Sequence, residues 1–314
     1  MYMNFDNLVQ AINFETILKI YNRDYDKVCE IWDKYRHLFL FEISSDFSLW
    51  ASKLDVSINE LYSTYNLVKD NFKTLDKNVK ILIYGDAYWP NQINDFPYPT
   101  RVLYCLGDVS LLKKQNIAII GSKSPKQENI VKLDKLVATL IKSEIIITSG
   151  LELGTQGHAS AKSLSNFAPI IGVIATSFDS YHPKEHRIIQ DYIAKEGGLL
   201  VTRVAPNDNN LKWNILLRNR LMSALSNGIF ILEDVDGGGS ITLADYSLKN
   251  NRKVYFFSSQ KKDETILWPN LLIEKGAKSI RYPGDFPKAI NNKVNKKRKK
   301  KKVSSDSEQL SLFS

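Results

Sequence analysis

Ile117-Ala118-Ile119-Ile120, followed without a break by Gly121-Ser122-Lys123-Ser124, constrains this chain most. A continuous apolar run of that length suits a strand covered on both faces. Ile130, Leu133, Leu136, Val137, Leu140 and Ile141 then recur at helical spacing, and Ile145-Ile146-Ile147 restores the strand signal. A second small-residue turn follows as Thr148-Ser149-Gly150-Leu151, with Gly154, Gly157 and His158 behind it. Strand, loop, helix, strand, loop is a βαβ unit, and the turns after the carboxyl ends of its strands collect ligands. Gly and Ser there let backbone N–H groups approach an anion, and the next helix start adds positive potential. Two phosphate-friendly turns are therefore expected side by side, although neither spells GxGxxG or a Walker loop.

The same alternation continues on both sides. Ile81 to Tyr84 and Val102 to Tyr104 read as strands before the unit; Ile170 to Ala175, Leu199 to Val201, Ile229 to Leu232 and Val254 to Phe257 read as strands after it. Helical patterns fill the later gaps at Arg187 to Lys195, Lys212 to Leu225 and Ile241 to Asn250. The expected fold class is α/β, a Rossmann-like, doubly wound, mostly parallel sheet over residues 81–287. Residues 1–84 hold neither Gly nor Pro, and residues 1–80 carry helical periodicity throughout. A small all-helical N-terminal domain is expected there, with Ser45-Asp46 capping the segment of Leu49 and Trp50. It reads as a packing domain first and a docking module second.

Charge separates the last stretch from the rest. The chain carries +9, but from Lys288 onward nine Lys/Arg face only Asp306 and Glu308, giving +7 and leaving about +2 for the body. Residues 288–314 are expected to be a disordered basic tail. Any anion site in the body must come from local geometry. Cys29 and Cys105 are too few for a disulfide framework, and no apolar run approaches membrane-span length, so a cytoplasmic protein without a membrane partner is expected.

Nucleophilic catalysis is hard to assemble from four histidines, no GxSxG elbow and no Cys near a His. His182-Pro183-Lys184-Glu185-His186 matches a zinc spelling, but Pro183 places His182 at a helix cap, where the ligands do not converge, and no metal is expected. Gly237-Gly238-Gly239-Ser240, ahead of Thr242 and Asp245, forms a third glycine-rich turn. With the other two it favours an anion site at one sheet edge. Arg218-Asn219-Arg220 interrupts an apolar helical pattern; arginines at i and i+2 face different sides, so one can meet a pocket while the other packs. Arg forks match phosphate oxygens, and Lys212 with Trp213 adds a cation and a stacking ring of the kind single strands use.

Together these motifs resemble the DprA/Smf family of bacterial DNA-processing proteins, built on an extended Rossmann fold. Asp86, Trp89-Pro90, Pro99, Leu103 and Gly107 match its approach segment. Gly121 to Ser124 resembles its "GSRxS", and Ser149-Gly150-Leu151 with Gly154 and His158 its "SGLAxGIDxxAH". Arg218-Asn219-Arg220 to Ser226 is similar to "RNRIIxxLS", Gly238-Gly239-Ser240 with Thr242 to "SGSLxTA", and Leu272-Ile273 to Ala277 to "LIxxGA". Lys123 stands where the family has Arg, Thr155-Gln156 where it has Ile-Asp, and Thr202-Arg203 where it has Ser-Glu.

The resemblance implies single-stranded DNA binding, a homodimer, service to a RecA-type recombinase, no enzymatic activity and no cofactor. It implies a DNA site drawn from Gly121, Ser122, Lys123, Ser124, Ser149, Gly150, Lys212, Arg218, Asn219, Arg220, Gly239 and Ser240. Two other readings of the pocket stay open: a nucleotide-phosphate glycosidase of the lysine-decarboxylase-like group, and a nucleotide-sensing module. The chain closes with Gln309-Leu310-Ser311-Leu312-Phe313 after an unbroken cationic run from Lys296 to Lys302. That pentapeptide resembles the bacterial sliding-clamp motif, with Gln309, Leu310, Leu312 and Phe313 as the expected contacts.

Overall fold

The computed structural model describes residues 5–97, 99–208 and 210–291. The basic run and the clamp-like Gln309, Leu310, Leu312 and Phe313 lie outside the described residues. Four helices lead: α1 (Phe5–Ile20), α2 (Tyr25–Tyr35), α3 (Phe47–Leu54) and α4 (Ile58–Phe72). Their starts follow the sequence signals: Asp24, Asp46 and Ser57 accept from the backbone N–H three residues on. The sheet then begins with β1 (Lys80–Ile83) and β2 (Val102–Gly107). After it come β3 (Asn116–Ile120), α5 (Gln127–Lys142), β4 (Ile146–Ser149), α6 (Thr155–Ser165), β5 (Ile170–Val173), α7 (Arg187–Lys195) and β6 (Leu199–Thr202). The chain continues through α8 (Leu211–Leu225), β7 (Gly228–Ile231), α9 (Gly239–Lys249), β8 (Lys253–Phe257), α10 (Trp268–Glu274), β9 (Lys278–Ile280) and α11 (Phe286–Asn291).

The nine strands stand in the order β1-β2-β6-β5-β4-β3-β7-β8-β9. From β6 across to β9 every pairing is parallel. β1 and β2 are antiparallel to each other, and β2 to β6. Among the described residues no crossover helix lies between β1 and β2, and without one the chain returns antiparallel. β3 to β6 step outward one way, whereas β7 returns to the other flank of β3, so the direction reverses between β3 and β7. Ligands in open α/β sheets bind at such a reversal.

Side chains alternate along β3. Ala118 and Ile120 enter a core with Leu221, Met222 and Leu225 of α8, Leu243 of α9 and Trp268 of α10. Ile117 and Ile119 enter the opposite core with α5, α6, α7 and α11. A third cluster joins the N-terminal helices to the sheet, because Ile81, Ile83, Val102, Tyr104 and Leu217 pack among Phe14, Trp32, Leu61 and Phe72. Asp86 strengthens that seam, accepting from Ile83 N at 2.8 Å and from Asn7 Nδ2 at 2.9 Å. The expected boundary at residue 287 falls inside α11, whose Phe286 and Ile290 are buried. Among the described residues no helix is long and apolar enough to cross a membrane.

Candidate nucleic-acid interface

The turns after β3 and β4 meet and are built into each other. Ser122 O accepts from both Thr155 N and Thr155 Oγ1 at 3.0 Å. Gly154, at φ +73, lies so close to the Lys123 carbonyl that a Cβ there would overlap it. Glycine is required at that position on both counts. The second turn is anchored from behind, where His186 Nδ1 meets Leu151 O at 2.7 Å. The zinc-like spelling therefore serves as a brace: His186 precedes α7, and His182 sits two residues before the short 3₁₀ turn Lys184–His186.

Arg218 closes the cluster from α8. It is only 2% exposed, donates through Nη1 to Gly150 O and pairs through Nη2 with Glu152 Oε1 at 2.5 Å. Glu152 also faces the exposed Lys123, whose Nζ lies 3.8 Å from Oε2. Burial pushes the Glu152 carboxyl up, but the charges and hydrogen bond of Arg218, then Lys123 and His182, outweigh it and hold the group below its usual value. Burial lowers the Arg218 pKa, against the pull of Glu152. Gln156 completes the turn by accepting from Gly150 N at 2.8 Å.

The structure thus brings Gly121, Ser122, Lys123, Ser124, Ser149, Gly150 and Arg218 together, whereas Lys212 and Arg220 stand off from them on α8. Arg220, two residues on, faces the opposite way and lies 5.4 Å over the Tyr246 ring of α9. Asn219 is half-buried between them, and Lys212 is exposed on the first turn of α8, about 9 Å from Arg218 along the axis. Trp213 packs against the N-terminal helical cluster, so its ring serves that seam instead of a nucleic-acid base.

Gly239 and Ser240 depart from the expected phosphate cradle for a definite reason. Asp234 already occupies it, accepting from Ser240 N at 3.0 Å and from Val235 N at 2.9 Å. Two more helix starts at this edge are held the same way. Glu233 accepts from Lys126 N at 2.5 Å and from Asn129 Nδ2 at the start of α5, and Asp236 accepts from Trp268 N at 2.7 Å at the start of α10. A cleft of about 280 Å³ at the β3–β7 reversal is walled by Glu128, Glu233, Asp234 and Asp263 against Lys126 and Lys132. Four acids to two lysines leave it net negative. The reading from sequence missed Glu152, Glu233, Asp234 and Asp236. The acid-rich Glu233-Asp234-Val235-Asp236 directly after a strand was the available signal, since Asp is a preferred helix cap.

A sequence family described as DNA recombination-mediator protein A matches residues 80–291. The DNA processing protein DprA of Bacillus subtilis is 31% identical over 194 residues, covering 62% of this chain and 64% of that protein, just under two thirds of its length. The DprA of Streptococcus pneumoniae is 28% identical over 210 residues, covering 66% and 73%. Its solved structure superposes with a TM-score of 0.72 at 19% identity, over 90% of this chain and 97% of that one, which establishes a shared fold. DNA processing protein A of Helicobacter pylori, whose structure was solved for its single-stranded DNA binding mode, superposes with a TM-score of 0.59 at 26% identity, over 67% of this chain and 95% of that one.

Proposed function

The chain belongs to the family of DNA recombination-mediator protein A, and from that premise we propose that it binds single-stranded DNA at the joined turns after β3 and β4 and helps load a RecA-type recombinase, protecting the strand meanwhile. The observation that carries this reading is the convergence of Ser122, Lys123, Gly150 and Arg218 on one edge, in a fold shared with the Helicobacter pylori protein. Lys123 supplies the exposed charge; Arg218, turned inward and paired with Gly150 O and Glu152, supports the second turn from below. Sequence preference is slight, because backbone contacts carry little base information. The helical N-terminal unit packs the sheet edge in this reading, since it shares a core with β1 and β2.

The acid-filled helix starts weigh against the nucleotide glycosidase and the nucleotide sensor. Both need a compact polyphosphate or monophosphate where Glu233, Asp234 and Asp236 already sit. Band-shift titration of single-stranded against duplex DNA, beside a nucleotide-hydrolysis assay, separates the three readings. Residues 1–291 bind single strands in a salt-dependent way, and Lys123→Ala weakens that binding; nucleotide turnover, or equal binding by both proteins, sinks the reading.

Two partners follow from other surfaces. Val235, Leu267 and Leu271 are 67%, 65% and 51% exposed, and the Asp236 carboxylate accepting from Leu267 N at 2.9 Å joins the turn after β7 to α10, making one apolar face suited to a homodimer. The terminal Gln309, Leu310, Leu312 and Phe313 fit a sliding clamp. A peptide spanning residues 305–314 tests this: it binds the clamp, and replacing Leu312 and Phe313 by Ala abolishes binding. No binding of the unmodified peptide at high micromolar clamp removes that partner.

A further inference from the structure

Glu152 occupies an unusual position. It stands between the exposed Lys123, at 3.8 Å, and the buried Arg218, at 2.5 Å, and its own side chain is 14% exposed at the mouth of the turn. A carboxylate held between an ammonium and a guanidinium fork has the charge and reach of a phosphate oxygen pair. Arg218 is only 2% exposed and already has an anion as its partner: Nη1 donates to Gly150 O and Nη2 to Glu152. A strand phosphate entering beside Lys123 meets a negative charge and an occupied arginine.

We propose that Glu152 is an internal phosphate mimic that sets the strength of single-strand binding: it must give up Arg218 and Lys123 before a backbone phosphate can take them. The proposal rests on the single-strand reading of this site. It makes Glu152 a positioning residue with an inhibitory share in binding. The free protein keeps Arg218 ordered and paired, so a buried cation is not left uncompensated. The cost appears on binding, as competition between a tethered carboxylate and an incoming phosphate. Removing the carboxylate frees one fork arm and deletes a like charge beside the incoming phosphate, an effect on the order of ten-fold in affinity.

The experiment compares full-length wild type, Glu152→Gln, Glu152→Ala and Lys123→Ala for binding to an unstructured oligodeoxynucleotide across a salt series, with thermal unfolding of each. Both neutral variants bind about ten-fold tighter than wild type, and the slope of log K on log salt steepens by about 0.7 for the added phosphate contact. A purely structural role for Glu152 moves affinity the other way and leaves the slope unchanged. Folded neutral variants that bind equally or more weakly overturn the proposal. So does failure of both to fold, which makes Glu152 a structural anchor. Wild-type binding that is lost with Lys123→Ala keeps the single-strand reading whatever Glu152 does; no strand binding by any of the four proteins defeats that reading itself.

Discussion

Glu15→Gln tests how the helical unit is held on the sheet. Glu15 lies on α1, and its Oε1 accepts from Tyr104 Oη of β2 at 2.9 Å. Burial pushes its carboxyl up to about 8, opposed by the Tyr104 hydrogen bond, with the Asp208 charge adding to the rise and Arg23 and Arg203 lowering it. The folded protein therefore holds a proton that the unfolded chain releases above its ordinary value of 4.5. Stability from this group is complete at low pH, declines as pH rises from about 4.5 to about 8, and is level above that. Between pH 6 and pH 8 one such proton is worth about 2 kcal/mol of unfolding free energy. Gln keeps an acceptor for Tyr104 and carries no charge, so the variant lacks this decline. Urea unfolding of both proteins at pH 6, 7 and 8 reads the effect as a difference, because Arg23, Asp208 and Arg203 remain in each. The stability of the variant relative to wild type rises by about 2 kcal/mol between pH 6 and pH 8. A wild-type-minus-variant difference that stays flat across this range refutes the burial argument.

Gly154→Ala costs roughly 1–3 kcal/mol for the positive-φ backbone alone, and the Lys123 carbonyl adds to it; thermal melting and strand affinity fall together, and an unchanged melt removes the claim that the turns interlock. Leu271→Glu converts a dimer to a monomer by light scattering at micromolar concentration if the α10 face is the interface, and an unchanged mass assigns the interface elsewhere. Burial pushes the Cys29 thiol up to about 12 and Cys105 higher still, so both react with a thiol reagent only on unfolding; rapid labelling of the native protein contradicts their placement.

Much of the fold was legible because it is local. The alternation around Ile117 to Ile147 and the helical pattern of Arg187 to Lys195 depend on neighbours a few positions away, and both elements form where the periodicity places them. The three glycine-rich turns do gather, since β4, β3 and β7 are successive neighbours. What fills the turns was not legible. Glu233 reaches Lys126 across 107 positions and Arg218 reaches Glu152 across 66, and no periodicity encodes such a meeting. Trp213 misled for the same reason: an aromatic beside a lysine reads alike whether it faces solvent or the N-terminal helices. The opposed directions of Arg218 and Arg220 were legible, because helical spacing alone dictates them.

The seam between the helices and the sheet separates two notions of a unit. The stretch that relatives share in sequence begins at residue 80, yet Ile81, Ile83, Val102, Tyr104 and Leu217 are buried only because α1 to α4 lie on them. α8 belongs to both sides, sending Leu217 into the helical cluster and Leu221 into the sheet core, with Arg218 between them. Cutting the chain where its kinship begins would strip one flank of the helix that holds the second turn. The segment that matches the family in sequence is thus smaller than what folds, because α1 to α4 cover a seam that residues 80–291 would otherwise leave open.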